Sequence, residues 1–236
     1  EPREFSVTQS ASIKSYQYGQ AKSLRKFSSD KQSLEAQILN HLLSSMKKYK
    51  RTLTQENLIH FNDAIQLATA YLITSRDISL SILEWIVWAP VTCFTPEAMQ
   101  TGIFCWHWIC TSRAGDINES ALLHEMLGAW DWVIEEKKGL FYSMDAQRNF
   151  MDLSIDPGKS TVSDDLRMAL ESHRLWINFF SERYQIAHKL ENRKTESIIS
   201  KAVLHSLQNF DSLNSNKSSF GCRLRLCFLA LVIANR

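Results

Sequence analysis

One segment carries residues typical of a phosphate-binding loop, the string Gly158-Lys159-Ser160-Thr161. In such a loop, backbone N–H groups and the lysine hold nucleotide phosphates, and the hydroxyl group binds Mg²⁺. The full motif needs another glycine five residues before the last one, and Leu153 occupies that position. No strand pattern precedes the segment. We therefore do not expect nucleotide binding here.

Two histidines are candidates for metal chemistry. His124-Glu125 begins the helical zinc-protease motif, but its second histidine would stand where the chain has Gly128. His107 lies between two tryptophans, where a packed or surface histidine is more common than a metal ligand. We expect no metal site at either position.

The five cysteines indicate a reduced, cytosolic protein. Their number is odd, and a chain of 236 residues is long enough to fold without cross-links. Cys105 and Cys110 are at helical spacing, as are Cys222 and Cys227, so each pair shares a helix face. We expect these thiols to be small core residues and not zinc ligands.

The densest basic cluster comprises Lys47, Lys48, Lys50 and Arg51. One interpretation is favourable charge at a helix C-terminus. The other is contact with an acidic partner or with anionic lipid head groups. The net charge of the chain is only +2, which is too small to indicate general nucleic-acid binding.

The pattern of apolar residues predicts an all-α protein. Seven glycines and four prolines are few for 236 residues, which favours long helices. We expect Pro90 to end the third helix. The apolar periodicity predicts eight helices and no strand, with helices over about 31–49, from 54, over 77–88, 95–113, 118–137, 164–191, 195–210 and 220–235.

The predicted architecture is an irregular HEAT-like array of helical pairs, an α-solenoid segment, with a closed bundle as the alternative. The sequence divides into a polar, poorly ordered lead over 1–30 and a helical segment over 31–236. Residues 142–163 lack periodicity and contain Asp156-Pro157-Gly158, so we expect a flexible loop there.

Tryptophans mark the expected core, because six of the seven fall between Trp85 and Trp132 on three successive predicted helices. A buried tryptophan removes a large apolar area from water, so helices that carry tryptophan at facing positions are expected to pack together. The predicted core residues are Trp85, Met99, Ile103, Trp106, Met126, Trp130, Val133, Trp176 and Phe179.

The start of the chain lacks the apolar segment of a secretory signal. The most apolar stretch, over 224–234, is too short to span a bilayer and contains Arg225. We expect a soluble, cytoplasmic protein. The chain opens without Met and stops inside an apolar helical pattern, so we also expect it to be a piece of a longer protein.

Several strings occur in an order and spacing that resemble one family, the large helical region before the kinase domain of type III alpha phosphatidylinositol 4-kinases. The similarity covers roughly Leu83 to Asn235, and Met126–Phe141 is its most specific stretch. The strings are Trp88-Ala-Pro90, Phe94-Thr-Pro-Glu97, Cys105-Trp-His-Trp108, Met126-Leu-Gly-Ala-Trp130, Lys138-Gly-Leu-Phe141 and Trp176 through Ala187.

The resemblance implies a parent enzyme that phosphorylates the 4-hydroxyl of phosphatidylinositol with ATP and Mg²⁺. It implies a plasma-membrane location for that enzyme, as a peripheral protein in a complex with a tetratricopeptide-type adaptor and a lipid-anchored membrane protein. A homodimer is a further assembly that we consider, and no nucleic-acid partner is expected.

The strings of a lipid kinase site are absent from this sequence: it has no phosphate-covering loop, no Asp-Arg-His-Asn type catalytic loop and no Asp-Phe-Gly. We therefore assign no catalytic, cofactor or metal residue to it. The expected function is a non-catalytic helical scaffold segment that supports assembly and membrane positioning of the parent kinase. An independent helical adaptor without a kinase domain is the alternative.

Overall fold

A computed structural model describes residues 31–75, 77–112, 115–136, 138–141 and 164–206. Within these ranges the chain is helical and has no strand, which confirms the all-α prediction. The predicted lead over 1–30, the loop over 142–163 and the helix over 220–235 lie outside them. The helices are α1 (Lys31–Arg51), α2 (Gln55–Thr74), α3 (Leu80–Cys93), α4 (Pro96–Cys110), α5 (Gly115–Glu135), a 3-10 turn (Gly139–Phe141), α6 (Asp164–Lys189) and α7 (Arg193–Ser206).

The helices form two compact units. The first unit is the described part of Glu1–Cys93 with Phe104–Glu119. It contains α1, α2, α3, the end of α4 and the start of α5. The second is the described part of Phe94–Ile103 with Ser120–Arg236, and it contains the start of α4, most of α5, the 3-10 turn, α6 and α7.

In the first unit, α1 and α2 form an antiparallel hairpin. The ring of Tyr49, near the end of α1, stacks on Phe61, near the start of α2, at 5.7 Å between centroids. At the other end, the Tyr71 hydroxyl donates to Glu35 at 3.3 Å. Thr54 caps α2, because its Oγ1 accepts the N–H of Asn57. The buried stripe of α1 is Leu34, Ile38, Leu42, Met46 and Tyr49.

The prediction that Pro90 ends the third helix is wrong. Helix α3 continues through Pro90 to Cys93. Proline has no N–H, so within the helix it cannot donate to the carbonyl of Ile86, four residues earlier. That carbonyl accepts the indole N–H of Trp106 at 3.1 Å. A tertiary hydrogen bond therefore supplies the donor that the proline lacks, within the first unit.

In the second unit, the core is a cluster of rings around Trp130. This indole lies edge-on to Trp176, His173, Phe180 and Phe141, with ring centroids 4.9 to 6.0 Å apart. Edge-to-face contacts of this kind add to the gain from burying the rings. The N–H of Trp130 donates to Ser206 Oγ at 2.9 Å, so the cluster joins α5, α6 and α7.

Seven of the nine residues predicted for the core are at most 2% exposed: Met99, Trp106, Met126, Trp130, Val133, Trp176 and Phe179. Trp85 and Ile103 are a correction, because both are only partly buried. Trp85 lies roughly 130° around α3 from the centre of its buried face, which is midway between Leu83 and Ile86. Ile103 lies roughly a third of a turn around α4 from the centre of its buried face. Met99 and Trp106 both lie nearer to that centre.

Three connections in the described ranges contain left-handed backbone, and the first is Phe94 between α3 and α4, with φ of 51°. Gly139, with φ of 50°, opens the 3-10 turn. Between α6 and α7, Glu191 has φ of 55°. The N–H of Asn192 donates to Ala187 and that of Glu191 to His188, the hydrogen bonds of a Schellman cap. Asn192 then caps α7 through its side chain, so two residues reverse the chain.

Candidate functional site

The sequence motifs for metal or nucleotide chemistry do not converge in the described part of the chain. It contains no group of three or more His, Cys, Asp or Glu side chains that could hold a metal ion. His124 is exposed, and its Nδ1 lies 2.6 Å from the carbonyl of Ser120, one turn earlier on α5. Residues 158–161, with the fragmentary phosphate loop, lie outside the described ranges.

The cysteines of the described helices are free thiols. Cys105 is fully buried, and burial raises the pKa of its thiol to about 12. A thiol with so high a pKa is neutral at physiological pH and is a poor nucleophile. Cys110, one helix turn further along, is partly exposed, so the two thiols do not share one environment.

The basic cluster lies at the end of α1 as a continuous exposed surface. Lys47, Lys48, Lys50 and Arg51 are all exposed. Tyr49 and Met46 in the same turn are 4% exposed, and the ring of Tyr49 stacks on Phe61 of α2. The hairpin with α2 therefore buries one side of this turn and directs the four cationic side chains to the other side.

The turn after the cluster is fixed by hydrogen bonds and presents an apolar side chain. The backbone N–H of Thr52 donates to the carbonyl of Lys48 at 3.0 Å. The carbonyl of Thr52 accepts a hydrogen bond from the side-chain amide of Asn57 at 2.9 Å. Leu53 projects from this turn with 55% of its surface exposed. We call Lys47, Lys48, Lys50, Arg51 and Leu53 the basic turn.

A second polar feature joins α6 to α7. The carboxylate of Glu196 accepts from His188 Nδ1 at 2.9 Å and from Arg193 Nη1 at 3.1 Å. The hydrogen bond from His188, reinforced by Arg193, holds the pKa of Glu196 below its usual range. The ring of Tyr184 stacks against His188. These side chains line a surface pocket with Ser197 and Ser200.

Both oxygens of Glu196 are therefore engaged by its neighbours, and the cluster holds two helices together. A second contact of the same kind lies at the other end of α7, where His205 Nδ1 is 2.6 Å from Asp131 on α5. Histidine–carboxylate contacts thus fasten both ends of α7 within the second unit. We call the contacts of Glu196 with His188 and Arg193 the clamp between α6 and α7, and we interpret the pocket as a consequence of these contacts.

Sequence patterns pointed to the four cations of the basic turn but missed Leu53. The available signal was an apolar residue in a polar turn directly after a basic run. The Glu196 cluster was also missed, because His188 and Glu196 are on different helices and no helical spacing relates them. Among the described helices, none is long and apolar enough to cross a membrane.

Comparison with known proteins relates this amino-acid sequence to one family. Residues 4–235 match the family described as the PI4-kinase N-terminal region. A curated relative, phosphatidylinositol 4-kinase alpha 1 of Arabidopsis thaliana, is 33% identical over 110 residues. That alignment covers 44% of this chain and 5% of the relative, so the chain corresponds to a small part of that protein's length.

Proposed function

The chain belongs to the family of PI4-kinase N-terminal regions, and from this membership we propose that it is a non-catalytic helical scaffold segment of a phosphatidylinositol 4-kinase. The match over residues 4–235 carries the proposal, because it extends over nearly the whole sequence. The parent enzyme would phosphorylate phosphatidylinositol at the 4-position, with ATP and Mg²⁺ bound in a separate kinase domain.

The packing of the described helices supports a structural role. Trp106 and Trp130 are fully buried, and each also uses its indole N–H in a hydrogen bond. Such a core holds helices in fixed positions, which is what a scaffold needs to present a surface to partners. The partners proposed are a tetratricopeptide-type adaptor and a lipid-anchored membrane protein, with a second copy of the kinase as a further candidate.

The location proposed is the cytoplasmic face of the plasma membrane, reached through this complex. The alternative function, an independent helical adaptor without a kinase domain, is less favoured because the named relative is itself a phosphatidylinositol 4-kinase. Kinase motifs in the reading frame beyond Arg236 would decide between the two functions.

The experiment removes the segment from the whole kinase and compares partner capture, membrane recovery and lipid kinase activity with the intact enzyme. We expect partner capture and membrane recovery to fall, because removing several stacked helices exposes apolar faces on both sides of the gap. A deleted enzyme that keeps full complex formation and full activity would contradict the proposal.

Trp130→Ala in the whole kinase is the milder variant, since it loosens one unit and leaves the rest of the chain present. The matched control is Leu204→Ala, because Leu204 is 62% exposed. We expect only the tryptophan variant to reduce partner capture. Saturable binding of ATP by residues 1–236 alone would overturn the non-catalytic assignment.

A further inference from the structure

We propose that the basic turn is a contact site for anionic phospholipid head groups on a membrane surface. This inference rests on the proposed function, since it names the part of the scaffold that would touch the membrane. The charge is concentrated locally: four cations lie between Glu35 and Glu56, and no acidic residue falls between those two positions. The chain as a whole carries a net charge of only +2.

The helix directs these charges to one side. With 100° of rotation per residue, Lys47, Lys48, Lys50 and Arg51 span roughly 160° of α1. Tyr49 lies outside that arc and is buried against Phe61 of α2. A planar surface approaching α1 from the side opposite α2 would therefore meet all four cations.

Leu53 adds an apolar contact at the same place. Its side chain is 55% exposed, in a turn held by the hydrogen bonds of Thr52 to Lys48 and Asn57. A leucine beside several basic residues is typical of segments that enter the boundary between head groups and acyl chains. An exposed leucine at a fixed position costs little conformational entropy when it inserts, because its backbone is already ordered.

Residue types favour a lipid surface over an acidic protein. Three of the four cations are lysines, which act as hydrated point charges and suit a diffuse anionic surface. Defined carboxylate partners are more often held by the planar fork of arginine. Favourable interaction with the helix dipole accounts for cations in the last turn of α1, but it gives no reason for an exposed leucine after them.

The test uses the whole protein that contains this chain, with vesicles of phosphatidylcholine alone or mixed with phosphatidylserine, and without phosphatidylinositol. The variant carries Lys47→Gln, Lys48→Gln and Lys50→Gln, which keep helix propensity. Each basic residue near an anionic surface contributes roughly fivefold in affinity. We therefore expect binding to the phosphatidylserine vesicles to weaken at least tenfold, and wild-type binding to fall with added salt.

The matched control carries Lys189→Gln, Lys194→Gln and Lys201→Gln, which remove the same charge from exposed positions in the second unit. We expect its affinity to stay within about twofold of wild type, since an exposed charge distant from the contact is largely screened. Leu53→Ser should weaken binding severalfold, whereas Leu204→Ser, at a comparably exposed leucine, should not.

Unchanged binding of the Lys47/Lys48/Lys50 variant to phosphatidylserine vesicles would overturn the inference. Loss of a protein partner by that variant, with vesicle binding retained, would identify the basic turn as a protein contact and would also overturn it. Complex assembly, and kinase activity on detergent-dispersed substrate, should stay at the wild-type level in the variant. The deletion experiment tests the scaffold function separately, so either proposal can fail while the other stands.

Discussion

The indole N–H of Trp106 donates to the carbonyl oxygen of Ile86 at 3.1 Å. In a regular helix the backbone N–H of residue 90 would donate to this oxygen, but Pro90 has no N–H. Both partners are fully buried. A buried carbonyl without a donor costs about 1–3 kcal/mol, so the tryptophan and the proline are energetically linked although 16 positions separate them.

The first prediction concerns this link. Trp106→Phe keeps an aromatic ring but removes the donor, so we expect the 236-residue chain to lose about 1–3 kcal/mol from the unpaired carbonyl, in addition to the loss from the smaller ring. Pro90→Ala restores a backbone N–H at position 90, which can donate to the carbonyl of Ile86 four residues earlier. This substitution should be neutral or stabilising by itself. Urea unfolding measures both variants.

The double variant Trp106→Phe/Pro90→Ala separates the two effects. If the hydrogen bond matters because of the proline, the cost of Trp106→Phe should be smaller by about 1 kcal/mol or more in the Pro90→Ala background. Equal costs in the two backgrounds would show that the ring contributes by packing alone.

The second prediction concerns the centre of the other unit. Trp130→Ala should destabilise the chain by about 3–5 kcal/mol, because it removes a fully buried ring and leaves a cavity among Trp176, Phe180 and His173. Trp130→Phe should cost less, since an aromatic ring remains and only the bond to Ser206 and part of the ring volume are lost. Thermal unfolding with Leu204→Ala as the exposed control checks the order, and a Trp130→Ala melting curve equal to that of the control would contradict it.

Helical periodicity predicted much of this fold because it depends on local rules. Apolar spacing predicted helices over about 31–49 and from 54, and the structure has helices at Lys31–Arg51 and Gln55–Thr74. Trp106 and Trp130 were assigned to the core from apolar stripes, and both are fully buried. These features need no knowledge of distant parts of the chain.

The remaining features depend on contacts between distant residues. Pro90 was expected to end a helix, and only a donor from α4 makes its position inside α3 tolerable. Trp85 was expected in the core, but α3 is apolar on nearly all sides, so periodicity did not show which side faces inward. The exposure of Leu53 likewise depends on how the hairpin turn is held, and so the basic turn was recognised from sequence by its charges alone.

The third prediction is that Gly139→Ala strongly destabilises the chain. A Cβ at Gly139 would lie 2.3 Å from His173 Nδ1 and 3.0 Å from the carbonyl of Ala169, and the backbone φ is 50°. His173 is fully buried among rings and cannot move aside easily. We expect a loss of at least about 2 kcal/mol from the combined strain and overpacking, seen as a lower melting temperature.

The control for that substitution is Gly128→Ala. Gly128 lies inside α5, and a Cβ added there would meet no atom within 4 Å beyond its chain neighbours and the nearby backbone of its own helix. Alanine at an exposed helical position should stabilise the chain by about 0.5–1 kcal/mol. The two glycine substitutions should therefore shift the melting temperature in opposite directions, and a Gly139→Ala melting temperature at or above that of the wild type would contradict the expected clash with His173.

The last prediction concerns pH. Glu196 has a pKa below its usual range because of hydrogen bonds from His188 and Arg193. A carboxylate whose pKa is lower in the folded state contributes stability that is fully present above its unfolded-state pKa, about 4.3 for glutamate, and is lost as pH falls through the folded-state pKa. Glu196→Gln should therefore be less stable than wild type at neutral pH, and the difference should shrink as the solution is acidified below about pH 4.3.

Glu171→Gln is the matched control. The hydrogen bond from Arg174 also lowers the pKa of the Glu171 carboxylate, but the side chains of Glu171 and Arg174 are 41% and 51% exposed. An exposed pair of this kind contributes little, so urea unfolding at several pH values should give a clearly smaller effect for Glu171→Gln. A Glu196→Gln difference that stays constant from neutral to acidic pH would show that the clamp between α6 and α7 does not depend on the charge of this carboxylate.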